Sequence, residues 1–91
     1  MAQVVITMQI MPENPEVDLS AIQTEATKMI ADFGAEVGKV EYEPVAFGLK
    51  ALKLIFVSDE NKGDTEKLEE KISAIPGVMS VEVTDVRRAI G

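Results

Sequence analysis

Ninety-one residues, 46% hydrophobic but only 4% aromatic, suffice for one small two-layer domain with a core built mainly from Val, Ile, Leu and Met. The chain has neither Cys nor His, which excludes disulfides, thiolate chemistry, imidazole general bases and the common zinc and haem ligand sets. A net charge of −7 opposes the counterion release on which binding to a phosphate backbone depends, so no direct nucleic-acid contact is expected. It suits solubility and a basic protein partner.

The opening MAQVVITMQIM carries no basic leader region or cleavage-like site, and no apolar run approaches the roughly 20 residues of a spanning helix. Neither a leader nor a membrane contact is expected, and a cytoplasmic location is. Val4, Ile6, Met8 and Ile10 alternate with Val5, Thr7 and Gln9, as in a strand with one strongly apolar face. The prolines of PENPE end it. Asp18 is spaced as the N-cap of a helix whose apolar face carries Leu19, Ile22, Ala26, Met29, Ile30 and Phe33 and which closes at Gly34. Val17 and Ile22 are placed for a hydrophobic staple across its first turn.

Val37, Val40 and Tyr42 mark a second strand between Ala35 and Glu43, bulged at Gly38. Residues 49–58 form the most strand-like run, with Leu52, Leu54 and Phe56 on one face. Asp59 to Gly63 reads as a polar turn. Asp64 is the expected cap of a second helix that buries Leu68, Ile72 and Ile75 and stops at Pro76-Gly77. Met79, Val81 and Val83 then alternate in a last strand. The order βαββαβ, with right-handed crossovers, predicts a ferredoxin-like α+β sandwich: a four-stranded antiparallel sheet with two helices on one face.

Phe47 stands out against this frame. It sits beside Gly48 in the connection EPVAFGLKALKL, where an aromatic forfeits roughly 1.5–3 kcal/mol of burial unless something covers it. Either it folds over an edge of the core, or a glycine-permitted bend holds it out for a partner's pocket.

Here the chain resembles the nucleotide-exchange domain of translation elongation factor 1-beta, most closely its short archaeal members. Pro44, Ala46, Phe47, Gly48, Leu49 and Lys50 match the family's proline, small residue, aromatic, glycine, aliphatic and lysine. The likeness runs on through Gly63-Asp64-Thr65 and the helix of Leu68, Glu69 and Glu70, to Val83-Thr84-Asp85-Val86. It therefore covers essentially the whole chain as one exchange domain.

The resemblance implies a partner, the GTPase elongation factor 1-alpha, and catalysed release of its GDP followed by GTP reloading. It also implies that the aromatic at Phe47 enters a pocket on that partner. The partner-binding residues it points to are Phe47, Gly48, Lys50, Arg87 and Arg88. The family's C-terminal segment reaches the magnesium and phosphate region, and eukaryotic members place a lysine next to their last residue. This chain ends Arg87, Arg88, Ala89, Ile90, Gly91, so the expected cation is an arginine. The larger complex that eukaryotic members join through an additional N-terminal region is not expected here. Exchange by binding needs no covalent chemistry, so no enzymatic residue, metal or cofactor is expected.

Other readings are weaker. Asp59, Asn61 and Glu70 echo a calcium loop, but Gly63 falls one place early and a strand stands where the loop's leading helix belongs. Lys50 and Lys53 also fit a solvated strand face, and Arg87 and Arg88 a soluble strand end. An acylphosphatase would need a phosphate-cradling arginine where PENPE stands, and an RNA-recognition module would need aromatics on the sheet and a basic surface. A metallochaperone would need a cysteine pair. A small regulatory or assembly module, self-associating weakly through its open sheet face, is the remaining alternative.

Overall fold

A computed structural model describes residues 3–45, 48–59 and 65–89. The elements follow in the order β1 (Gln3–Pro12), α1 (Leu19–Phe33), β2 (Glu36–Pro44), β3 (Lys50–Asp59), α2 (Glu66–Ser73) and β4 (Val78–Ala89). One four-stranded sheet has the order β2-β3-β1-β4, and every neighbouring pair is antiparallel. This is the expected ferredoxin-like sandwich.

Period-two alternation on the central strands turns Ile6, Met8 and Ile10 and their partners Phe56, Leu54 and Leu52 to one face, where all six are buried. Ile22, Ala26 and Ile30 of α1 and Leu68 and Ile72 of α2 close over that face. Each fully buried aliphatic or aromatic side chain contributes about 1.5–3 kcal/mol relative to exposure.

The ends of α1 are closed as the sequence predicts. Asp18 accepts the Ser20 backbone N–H at 3.0 Å and the Ser20 hydroxyl at 2.7 Å, which holds its carboxyl below the usual carboxylate range. Gly34 takes the left-handed conformation at φ 98°, and Ala35 N–H reaches back to Ile30 C=O at 3.1 Å. Val17 packs against the core cluster to which Ile22 belongs.

Three local readings change. The polar turn expected from Asp59 begins later, because Asp59 still pairs with Gln3 in the sheet. Residues 60–64, including the expected cap Asp64, lie outside the described residues. α2 opens after Thr65, which makes no capping side-chain bond, and ends at Ser73, three residues before Pro76. The alternation in β4 is also displaced. A register shift between Met11 and Pro12 sets Val78, not Met79, into the core and leaves Met79 59% exposed. A second shift at Thr84 brings Val83 opposite Met8 and Val86 opposite Ile6, on the same face. The bulge expected at Gly38 is present, between Val37 and Lys39.

The register also fixes the two ends of a molecule 42 Å long. At one end Pro12 meets Val78 and Pro44 meets Lys50, which gathers the β1–α1 and β2–β3 connections. At the other end Gln3 lies between Asp59 and Ala89.

Candidate functional site

The β2–β3 connection is closed by Val45 N–H donating to Leu49 C=O at 2.8 Å, with Gly48 between them at φ 74°. That left-handed conformation is what a short hairpin asks of one residue near its tip, and glycine adopts it without steric cost. A Cβ built on Gly48 would meet nothing within 4 Å, so conformation rather than space restricts this position. Phe47, and with it the expected aromatic knob, lies outside the described residues.

Lys50 and Lys53 do not share a face. Lys53 pairs across β1 with Gln9 and across β2 with Glu41, on the side of the sheet away from the helices. Its ammonium is in an ion pair with Glu43 that raises its pKa. Lys50 pairs with Pro44 on the helix side and lines a groove of about 460 Å³. Lys53 therefore lies half-buried on the outer strand face, while Lys50 is exposed at the helix-side end of β3.

The other walls of this groove are Pro12 at the end of β1, Asn14, Pro15 and Val17 of the β1–α1 loop, Asp18, Leu19 and Ser20 at the start of α1, and Tyr42 and Gly48. The Tyr42 hydroxyl donates to Gln23 Oε1 on α1, fixing the ring beside the helix. The loop is tied down by Glu13 N–H to Gly77 C=O at 2.9 Å and by Glu16 N–H to Asn14 Oδ1 at 2.9 Å. In the sequence PENPE reads as a strand terminator and as a segment unsuited to cradling phosphate. Nothing in its pattern reports the groove, which exists because the sheet order sets this loop beside a hairpin some thirty residues on.

Arg87 and Arg88 lie at the opposite end of the sheet from Gly48 and Lys50. Their partners on β1 are Val5 and Val4, so the two arginines face opposite sides, as adjacent strand residues must. Both are exposed. The structure thus separates Gly48 and Lys50 at the hairpin end from Arg87 and Arg88 at the terminal end. Of the residues weighed for a calcium loop, Asn61 lies outside the described residues. Among the described residues no group of three or more acidic side chains is placed to hold a metal ion, and no helix is long and apolar enough to cross a membrane.

Comparison with known proteins adds a family. Residues 5–89 match the model of the EF-1 guanine nucleotide exchange domain. Elongation factor 1-beta of Methanothermobacter thermautotrophicus is 48% identical over 88 residues, spanning 97% of this chain and 98% of the relative. Elongation factor 1-beta of Methanococcoides burtonii is 43% identical over 90 residues, spanning 99% and 100%. Among solved structures, the C-terminal domain of the MgtC protein from Mycobacterium tuberculosis superposes with a TM-score of 0.64 at 14% identity, over 96% of this chain and 87% of that one. The de novo designed protein Foldit4 gives 0.63 at 19% identity, over 98% of each. Likenesses so distant in sequence speak for the fold alone.

Proposed function

The chain belongs to the EF-1 guanine nucleotide exchange domain family, and from that premise we propose that the whole chain, as one domain in the cytoplasm, promotes GDP release from elongation factor 1-alpha and lets GTP reload. The observation that carries this reading is the family match across residues 5–89. The residue chemistry agrees with it. A chain without Cys or His can catalyse exchange by binding, because exchange needs only contacts that are stronger with the nucleotide-free G-protein than with the loaded one. By linkage, the factor by which this domain weakens GDP binding is the factor by which GDP weakens binding of the domain.

In this reading Phe47 is the anchor, and Gly48 sets the turn that presents it. Lys50 adds a cation beside the hairpin, and one of the two C-terminal arginines brings positive charge toward the partner's magnesium and phosphate site. The two groups lie at opposite ends of a 42 Å molecule. A single partner therefore meets both only along the length of the sandwich, which calls for a large G-protein surface rather than one pocket. No contact with nucleic acid or membrane enters the scheme.

The test is release of fluorescent GDP from purified elongation factor 1-alpha of a closely related archaeon. Catalytic amounts of the protein should accelerate release many-fold. Release unchanged at saturating protein would reject the proposal.

A further inference from the structure

The groove beside the hairpin shares Gly48 and Lys50 with the contacts above, and its remaining walls are built in a way that fits an interface. Pro15, Leu19 and the ring of Tyr42 give it apolar walls, and Val17 and Leu19 are already packed against the core. Hydrogen bonds from Glu13 N–H to Gly77 C=O and from Glu16 N–H to the Asn14 side-chain Oδ1 set the shape of the loop. A partner side chain would enter a surface that is largely formed beforehand, so little ordering opposes binding.

Charge selects the occupant. The loop beside the groove carries Glu13 and Glu16, both exposed and neither in a salt bridge among the described residues. Lys50 stands on the opposite wall. A cation is attracted on the loop side and repelled on the hairpin side, while an anion finds the reverse with fewer charges to meet it. The groove also adjoins Gly48, so a partner held at the hairpin tip would bring a neighbouring segment to it.

We infer that this groove is a second docking point for the same G-protein, receiving a segment in which one aliphatic or aromatic side chain is flanked by Lys or Arg. The apolar side chain packs against Pro15, Leu19 and Tyr42, and the flanking cation faces Glu13 and Glu16. This rests on the exchange reading and adds to it the chemistry of the partner segment. The acidic rim speeds association, and the apolar contact prolongs the complex.

The experiment measures the concentration of this protein that half-saturates fluorescent-GDP release from elongation factor 1-alpha, at low and at physiological salt. The variants are Glu13→Lys with Glu16→Lys, Tyr42→Ser and Tyr42→Phe, each checked for folding by circular dichroism. Charge reversal should raise the half-saturating concentration about tenfold at low salt and less at physiological salt, where screening is stronger. Tyr42→Ser should raise it several-fold at both salts, and Tyr42→Phe, which keeps the ring but loses the hydroxyl bond to Gln23, should raise it less than Tyr42→Ser does. An active wild type with all three variants equal to it overturns the groove and leaves the exchange reading standing. A silent Tyr42→Ser beside a strong charge effect overturns docking in favour of long-range steering alone. A wild type that releases no GDP removes the exchange reading and the groove with it.

Discussion

Arg87 Nε lies 2.8 Å from Asp85 Oδ2, two residues back along β4 and on the open face of the sheet. The ion pair offsets the Arg87 charge within its own strand. Arg88 faces the helix side, opposite Val4. Because the two side chains face opposite sides of the sheet, a partner on one side meets only one of them, and the two alanine variants should be unequal. Arg88→Ala should slow GDP release several-fold, with the difference shrinking when magnesium is chelated, and Arg87→Ala should stay near wild type. Equal, wild-type exchange in both single variants and in the double variant would end the idea of a terminal cation.

Phe47→Ala should remove most exchange activity. Truncating a buried interface anchor commonly costs about 2–4 kcal/mol of binding. The core is filled by Phe56, Leu52, Leu54 and the helix residues, so unfolding stability should change by less than about 1 kcal/mol. Chemical denaturation beside the exchange assay separates the cases, since a large loss of stability would make Phe47 a core residue.

Two substitutions at Gly48 tell conformation from contact. Its φ of 74° suits Asn far better than Val, and a Cβ there has open space around it. Gly48→Val should cost about 1–3 kcal/mol of backbone strain and lose most exchange, while Gly48→Asn should keep it. If both variants are inactive but stable, the partner's backbone must approach the glycine closely.

Gly77 is constrained twice. It has φ 94°, and a Cβ would lie 2.9 Å from Val17 Cγ1. Gly77→Ala should destabilise by about 1–3 kcal/mol and loosen the β1–α1 loop that bonds to its carbonyl. Gly38→Ala is the control, because that position has ordinary backbone and its nearest contact is Ile55 O at 3.8 Å. Its cost should stay below about 1 kcal/mol. Equal melting temperatures for the two variants would contradict the assignment.

The cap at Asp18 gives an acid dependence. Hydrogen bonds from the Ser20 hydroxyl and backbone lower its folded pKa, so the folded state binds a proton less readily than the unfolded one. Its contribution is complete above the ordinary carboxylate value and is lost as pH falls through the lower, folded value. The melting-temperature gap between wild type and Asp18→Asn should be constant near neutrality and change as the carboxylate titrates. A gap that stays the same down to about pH 2 would show that the charge contributes nothing.

The ferredoxin-like order was legible because each element carries a local code. Val4 to Ile10 and Leu52 to Phe56 repeat every two residues, and Leu19 to Phe33 repeats on a helical period between a capping Asp18 and a left-handed Gly34. Those signals need only the chain's own stereochemistry and one buried face. Gly38 announced its bulge in the same way, as a glycine inside a strand pattern.

What the tertiary structure alone decided is which local features meet. Lys50 and Lys53 look equivalent along the chain, but β3 turns one into a groove and the other to the open face. The groove joins Pro15 and Leu19 to Tyr42 and Lys50 only because the antiparallel order returns the β2–β3 hairpin to the end where β1 stops. The same order carries Arg87 and Arg88 to the far end. Met79 took a core position in the sequence pattern and lost it to Val78, because an edge strand accepts a bulge wherever pairing with its single neighbour is better served. Periodicity tells a side chain which face it occupies within its own element. Which other side chains share that face depends on strand order and register, which arise from contacts between segments far apart in the chain.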